Sequence, residues 1–247
     1  MNENLHALLY LVAAALFIIG LKRLSSPRTA RTGNSIAALG MLVAVVVTLI
    51  GNGVSWPVIA AGVVVGSGIG AAAALRVKMT AMPQMVALFN GFGGLASALV
   101  AGAEYLRADS STLPSATTVS IVLSVLIGAV TFTGSVMAFA KLQEILRGSP
   151  LTFRGQRAGN LVVALAAVGL GAWAIAGNGA VPLWAAGGAG LLLGVLAVLP
   201  IGGADMPVVI CLLNSLSGLA AAATGFVINN SALIIAGALV GASGIIL

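Results

Sequence analysis

Long apolar runs, interrupted only by short polar segments, dominate the chain. No Asp, Glu, Lys, Arg or His occurs at positions 32–75, 110–140, 158–204 or 206–247. Each stretch is longer than the roughly 20 apolar residues that a helix needs to cross a bilayer. The short segments of alternating polarity that are typical of a transmembrane β-barrel do not occur. The pattern therefore predicts a helical integral membrane protein.

Glycine, proline, asparagine and charged residues divide these runs into nine predicted helices. We expect an all-α, polytopic bundle forming one transmembrane domain over residues 1–247, with spans at 5–21, 34–51, 56–75, 83–104, 116–139, 159–177, 181–199, 206–227 and 231–247. The division between the sixth and seventh helices rests on Asn178-Gly179 and Pro182. The last run reaches Leu247 without a cap or a basic stop, so we expect the natural protein to continue into the cytoplasm.

Basic residues sort to one side of this arrangement. The first, third and fifth loops carry ten of the 11 Lys and Arg residues, namely Lys22, Arg23, Arg28, Arg31, Arg76, Lys78, Lys141, Arg147, Arg154 and Arg157. Lys and Arg are enriched in cytoplasmic loops, so we expect the N-terminus outside and the C-terminus in the cytoplasm. Glu3 precedes the first run, which argues against a cleavable signal peptide. The net charge of +6 thus reflects topology, and we expect no nucleic-acid partner.

An internal repeat at an offset of 124 residues places two asparagines at matching depths. Each copy has Met-Pro, an asparagine seven residues after the proline and then Gly-Leu-Ala, at Met82, Asn90 and 94–96 in one copy and Met206, Asn214 and 218–220 in the other. Proline suits the first helical turn, so each asparagine lies about 10 Å inside the membrane. An unpaired amide is costly in hydrocarbon. Both amides therefore take part either in interhelical hydrogen bonding or, as we favour, in a shared hydrated path.

Other small and polar residues recur at helical spacing. The fourth helix carries Asn90, Ser97 and Glu104, the fifth carries Ser120, Ser124, Gly128, Thr131 and Ser135, and the eighth carries Asn214, Ser217, Ala221 and Thr224. The stripe on the fifth helix either lines a pore or packs against a neighbour. On the third helix we assign Gly62, Gly66 and Gly70, which repeat every four residues, to helix packing.

Ionisable residues are missing from the middle of every predicted span, although such residues commonly mark proton relays. His6 lies near the outer end of the first helix and is interpreted as an interfacial residue. With one His and one Cys, Cys211, the sequence offers no metal-ligand cluster, no nucleophile–base pair and no G-x-G-x-x-G motif. We expect no catalytic, cofactor or metal site. A chain of this kind that moves protons needs water or a partner's titratable group.

Four blocks resemble the β subunit of the proton-translocating NAD(P) transhydrogenases: MTAMP at 79–83, GAVTFTGS at 128–135, GGADMP at 202–207 and GALVG at 237–241. The similarity covers all nine predicted spans. It implies the membrane part of a complex in the bacterial inner membrane that couples hydride transfer between NAD(H) and NADP(H) to proton translocation. It also implies α-type subunits as partners, an NADP(H)-binding domain after the β spans, an NAD(H)-binding domain on the α side, and a dimer of protomers.

The resemblance also assigns roles to particular positions. A histidine on the fourth β span, a serine on the fifth and an asparagine on the eighth are associated with the proton path in this family, and they match Asn90, Ser135 and Asn214. An acidic residue matching Asp205 is associated with coupling to the NADP(H) domain. Asn90 departs from the family's histidine. Some relatives carry that histidine on an α-type membrane subunit, which agrees with the need for a partner's titratable group.

Two other functions stay open on the residues alone. A secondary transporter for a small solute or ion needs a site near the midplane with broken helices and charged or aromatic ligands, which the sequence lacks. A structural scaffold would leave all proton conduction to its partner.

Overall fold

A computed structural model describes residues 3–51, 55–108, 113–177 and 179–246. These residues form nine α-helices and two 3₁₀ turns, with no strand among them. The helices are α1 (Glu3–Leu24), α2 (Ala30–Gly51), α3 (Trp56–Arg76), α4 (Met82–Arg107), α5 (Ser115–Leu142), α6 (Gln156–Ile175), α7 (Ala180–Val198), α8 (Met206–Val227) and α9 (Ser231–Ile246). The 3₁₀ turns, Met79–Ala81 and Gly203–Asp205, directly precede α4 and α8.

Within the described residues, α1 to α8 are long and apolar enough to cross a membrane, whereas the apolar part of α9, Ser231–Ile245, is shorter. The predicted all-helical, multi-pass membrane fold is confirmed at this level. The crossing by α9 and the orientation of the termini stay predictions.

Local sequence explains where several helices begin and end. Proline occupies the first turn of α8, where its missing N–H breaks no hydrogen bond. Gly177 has a φ of 86°, a left-handed conformation that glycine adopts readily, and it lies just beyond the end of α6. This agrees with the division expected at this point, although Asn178 itself lies outside the described residues. The fifth helix continues to Leu142, beyond its predicted end at residue 139.

The chain divides into two compact units, one made of residues 1–82 with 230–236 and the other of residues 83–229 with 237–247. In the first unit, α1 and α2 form an antiparallel hairpin whose backbones meet at glycines. A Cβ added at Gly33 would lie 2.8 Å from the carbonyl oxygen of Gly20. The amide of Asn230 joins this hairpin, because its Nδ2 donates to Thr48 Oγ1 at 3.1 Å and to Tyr10 Oη at 3.4 Å.

Helix α3, also in the first unit, has no buried residue among those described. A Cβ added at Gly62, Gly66 or Gly70 would meet nothing within 4 Å. The neighbour that these glycines were predicted to pack against is therefore not found among the described residues, and their packing role stays a prediction.

In the second unit α5 occupies the centre and contacts α4, α6, α7 and α8. Two apolar clusters lie toward its two ends, one around Ile121 and Val125 and the other around Ala138 and Leu213. Between them the helices approach through small residues. A Cβ added at Gly194 of α7 would overlap Thr133 Oγ1 and the carbonyl oxygen of Val130, both on α5. Close backbone approach of this kind is how membrane helices gain packing energy without a hydrophobic driving force.

The tight contact between α5 and α7 predicts the effect of a Cβ at Gly194. Substituting Gly194→Val should destabilise the bundle by about 1–3 kcal/mol, because the added atoms overlap backbone that cannot move aside easily. Thermal unfolding of the purified protein in detergent measures the effect as a lower Tm. Gly188→Val on the same helix is the matched control, since a Cβ there meets nothing within 4 Å. Equal Tm shifts for the two variants would show that the contact is not tight.

Candidate functional site

Polar side chains from α4, α5 and α8 meet where Asn90 lies. Asn90 Nδ2 donates a hydrogen bond of 2.9 Å to Ser135 Oγ. Ser217 Oγ donates to the carbonyl oxygen of Asn90 at 3.3 Å. Ser135 is fully buried, whereas Asn90 and Ser217 are half-buried. We call these three residues the Asn90 layer.

A second polar group joins the same three helices closer to the other end of α4. Ser124 Oγ of α5 lies 2.6 Å from Thr224 Oγ1 of α8, and each hydroxyl is within hydrogen-bond distance of the carbonyl oxygens of Ser97 and Ala220. Ser124 and Thr224 are 0% and 3% exposed. We call Ser97, Ser124 and Thr224 the Ser124 layer. The hydroxyls of Ser124 and Thr224 have partners on neighbouring helices, so they form interhelical hydrogen bonds.

Between the two layers, α4 and α5 are in close contact at Gly94. A Cβ added at Gly94 of α4 would lie 2.9 Å from both the Gly128 carbonyl oxygen and Thr131 Cβ of α5. A gap too narrow for a Cβ has no room for water. Thr131 is fully buried here, and its Oγ1 has no hydrogen-bond partner among the described residues. On α5, Gly128 packs against α4, and the hydroxyls of Ser124 and Ser135 take part in interhelical hydrogen bonds. Whether the stripe lines a pore or serves packing stays a prediction.

Asn214 is placed differently from Asn90. It is exposed on α8, and its side chain forms no hydrogen bond to another described residue. The helices explain the difference, because hydrogen bonds from α8 to α4 join residues 127 apart, Ser217 to Asn90 and Thr224 to Ser97. The repeat at an offset of 124 predicts matching depths for Asn90 and Asn214. Ser217, one helical turn beyond Asn214 on α8, is the residue that bonds the carbonyl oxygen of Asn90.

Asp205 lies at the start of α8, at the end of the Gly203–Asp205 turn. Its side chain is exposed and forms no capping hydrogen bond. A carboxylate at a helix N-terminus is favoured by the helix dipole. The helix N-terminus therefore favours the charged carboxylate of Asp205, which is also accessible to another molecule.

Sequence reasoning missed the burial of a lysine at this end of the bundle. Lys141 was placed in a loop as a marker of topology, but it lies in the last turn of α5 and is 2% exposed. Its Nζ donates to the carbonyl oxygens of Leu199 and Ile201, each at 2.6 Å. Hydropathy gives no signal for this, because a lysine at the end of an apolar run looks the same whether it faces solvent or a neighbouring helix.

Comparison with known proteins identifies the family. The family model described as the NAD(P) transhydrogenase beta subunit matches residues 6–247. The chain belongs to this family. Two curated relatives named NAD(P) transhydrogenase subunit beta, both from Rhodospirillum rubrum and one assigned to a particular strain of it, are each 43% identical to it over 256 aligned positions. The alignments cover 100% of this chain and 55% of each relative, so the chain spans about half the length of these relatives.

Family membership confirms the resemblance drawn from the four sequence blocks. Two of them contain candidate residues, because the 128–135 block includes Ser135 and the 202–207 block includes Asp205. The roles of Asn90, Ser135, Asn214 and Asp205 stay predictions. Among the described residues, no group of three His, Cys, Asp or Glu side chains is placed to hold a metal ion.

The bond between Asn90 and Ser135 predicts a measurable energetic coupling between α4 and α5. In a double-mutant cycle with Asn90→Ala and Ser135→Ala, the interaction term in the free energy of unfolding should be about 0.6–1.7 kcal/mol, the range of interhelical hydrogen bonds in membranes. Ser120→Ala is the control partner for Asn90→Ala, because the Ser120 hydroxyl bonds Ala116 of its own helix. That second cycle should be additive within about 0.5 kcal/mol. Additivity in both cycles would contradict the bond.

Proposed function

We propose that this chain is the proton-translocating membrane part of an NAD(P) transhydrogenase. The observation that carries the proposal is the Asn90 layer, in which uncharged polar groups from three helices meet inside a bundle whose sequence belongs to the β-subunit family. Hydride transfer between NAD(H) and NADP(H) takes place on soluble domains of the complex, and this chain has no part in that chemical step. In this proposal the chain itself binds no cofactor, and both nucleotides bind elsewhere in the intact complex.

The chemistry of the layer defines what this chain contributes. Amides and hydroxyls do not titrate near neutral pH, but each can donate and accept hydrogen bonds and so orient water. The proton is held by a titratable group outside this chain, for which a histidine of an α-type membrane subunit is the candidate. Asn90 is half-buried and Asn214 exposed, and an amide left in hydrocarbon without a partner is costly. Both amides therefore need a partner helix or water at their open sides.

The same proposal extends to the rest of the complex. All nine helices cross the bacterial inner membrane, with the N-terminus outside and the Asp205 end of the bundle in the cytoplasm. The NADP(H)-binding domain docks at that end, where the exposed carboxylate of Asp205 is available to it. The protomers, each with its α-type subunits, work as a dimer. Bound nucleotide changes access from the cytoplasm to the region of Asn90 and Asn214, which couples the two processes through their binding free energies.

A solute transporter draws little support from the described residues. Helices α4, α5 and α8 run unbroken through both polar layers, whereas transporter sites near the midplane are built from interrupted helices.

The proposal predicts a specific effect for Asn214→Leu in the complete complex. Because leucine cannot orient water, coupled transhydrogenation and proton pumping should fall at least about tenfold, the scale expected when one positioned polar group is lost. The complex should still assemble, since Asn214 is exposed on the isolated chain. Pumping is measured in proteoliposomes with a pH-sensitive dye and compared with hydride transfer to a nicotinamide analogue.

Asn160→Leu is the control for that experiment. It makes the same chemical change on α6, where the partner of Asn160 Nδ2 among the described residues is the carbonyl oxygen of Leu196 at 3.4 Å, and it should leave both pumping and coupled hydride transfer unchanged. Unchanged pumping by Asn214→Leu would remove this residue from the path. Silent substitutions at Asn90, Ser135 and Asn214 together would favour a scaffold.

A further inference from the structure

The ammonium group of Lys141 is buried without a carboxylate to pair with it among the described residues. Its two acceptors are the backbone carbonyl oxygens of Leu199 and Ile201, both at 2.6 Å. These distances are slightly shorter than the roughly 2.7–2.9 Å typical of charged nitrogen donors. A buried cation with no partner is strongly disfavoured, so this position is maintained only while both carbonyls stay in place.

The two acceptors lie just beyond the end of α7. Leu199 immediately follows Val198, the last residue of that helix, and Ile201 comes two residues later. The last carbonyls of a helix have no donor within the helix and carry a partial negative charge. Lys141 therefore caps α7 from a neighbouring helix.

The capped carbonyls lie in the segment that carries Asp205. We call residues 199–205 the α7–α8 turn. Two further backbone bonds hold it against the segment between α5 and α6, since Gly203 N donates to Gly148 O at 2.8 Å and Leu151 N donates to Leu199 O at 3.2 Å. Asp205 ends the turn and is exposed. The position of its carboxylate thus depends on where Lys141 holds the turn.

Lys141 also lines an open crevice of about 530 Å³, together with Glu144, Arg147, Ser149 and Gly203. An ammonium group that loses its two carbonyls can turn into this crevice and be hydrated there. The turn can therefore move away from α5 without leaving a charge stranded in apolar surroundings.

We propose that Lys141 is a positioning residue that fixes the α7–α8 turn, and with it Asp205, to the helix that carries Ser135. Ser135 and Lys141 lie six residues apart on α5, about 9 Å along the helix axis. A displacement of Asp205 by the nucleotide-binding domain is then transmitted through the two carbonyls and Lys141 to α5 and the Asn90 layer. This inference rests on the proposed function, because it describes how the same site is coupled.

The test uses the complete complex in proteoliposomes and compares Lys141→Met with Lys78→Met. Methionine keeps an unbranched stem and removes the donors. Lys78 is an exposed lysine whose side chain forms no capping bond, so it is the matched control. Two quantities are measured, the amide hydrogen exchange of residues 199–205 and the number of protons pumped per hydride transferred.

For Lys141→Met we expect exchange in the turn to become about tenfold faster, as loss of two charge-assisted hydrogen bonds implies. Protons pumped per hydride should fall at least about twofold, because hydride transfer itself does not need the turn to be fixed. Lys78→Met should change neither quantity. A residue that only stabilises the bundle would lower both activities together and leave their ratio unchanged.

Each contrary result overturns a defined part of the inference. Unchanged exchange would show that Lys141 does not hold the turn, and faster exchange with an unchanged ratio would show that the turn is not part of coupling. If Lys141→Met does not assemble, Lys141→Arg decides by the same measurements, with a smaller rise in exchange expected because the larger guanidinium keeps the charge. Failure of both variants to assemble contradicts the proposal, since it makes Lys141 a folding residue.

A wild-type complex that transfers hydride without pumping refutes the proposed function. Hydrogen exchange in that complex still tests whether Lys141 fixes the α7–α8 turn.

Discussion

A polar group inside hydrocarbon must find its hydrogen-bond partner within the protein, and this requirement organises the second unit of the chain. Ser124 bonds Thr224, Asn90 bonds Ser135, and Ser215 of α8 bonds the carbonyl oxygen of Gly241 on α9. Such bonds are short only if the backbones come close. Glycine permits that approach, as at Gly218, where an added Cβ would lie 2.7 Å from the carbonyl oxygen of Gly237. Close helix packing and hydrogen bonding of buried polar groups therefore require the same thing, which is a small residue next to each hydroxyl.

Two features of the chain do not find such a partner among the described residues. Asn214 exposes an amide on a membrane-spanning helix, and α3 exposes a row of glycines that nothing described contacts. An amide without a partner is costly in lipid, and small residues such as these glycines are enriched where membrane helices pack against each other. These two features agree with the absence of an ionisable group from the middle of the spans. Both features support the proposal that the chain works together with other subunits.

Sequence predicts most of the fold here because the bilayer sets the length and polarity of each helix. Contacts between helices are harder to predict. The internal repeat measures similarity at an offset of 124, but the register of α8 on α4 depends on which small residues interlock, and it places Ser217 rather than Asn214 opposite Asn90. The buried position of Lys141 could not be predicted from the sequence for a related reason. Its role depends on the carbonyl oxygens of Leu199 and Ile201, and backbone acceptors about 60 residues away in the chain leave no mark on the sequence around a lysine.

Helix α5 is suited to carry a signal between an end of the bundle and its interior. It is 28 residues long, and an α-helix rises 1.5 Å per residue, so a shift at one end is felt about 40 Å away as long as the helix stays straight. One face bears Ser124, Thr131 and Ser135, and the last turn bears Lys141. Close contacts at Gly128 oppose small continuous sliding against α4, because backbone overlap rises steeply with displacement. In the proposed complex, a helix held in this way moves between discrete positions rather than sliding continuously.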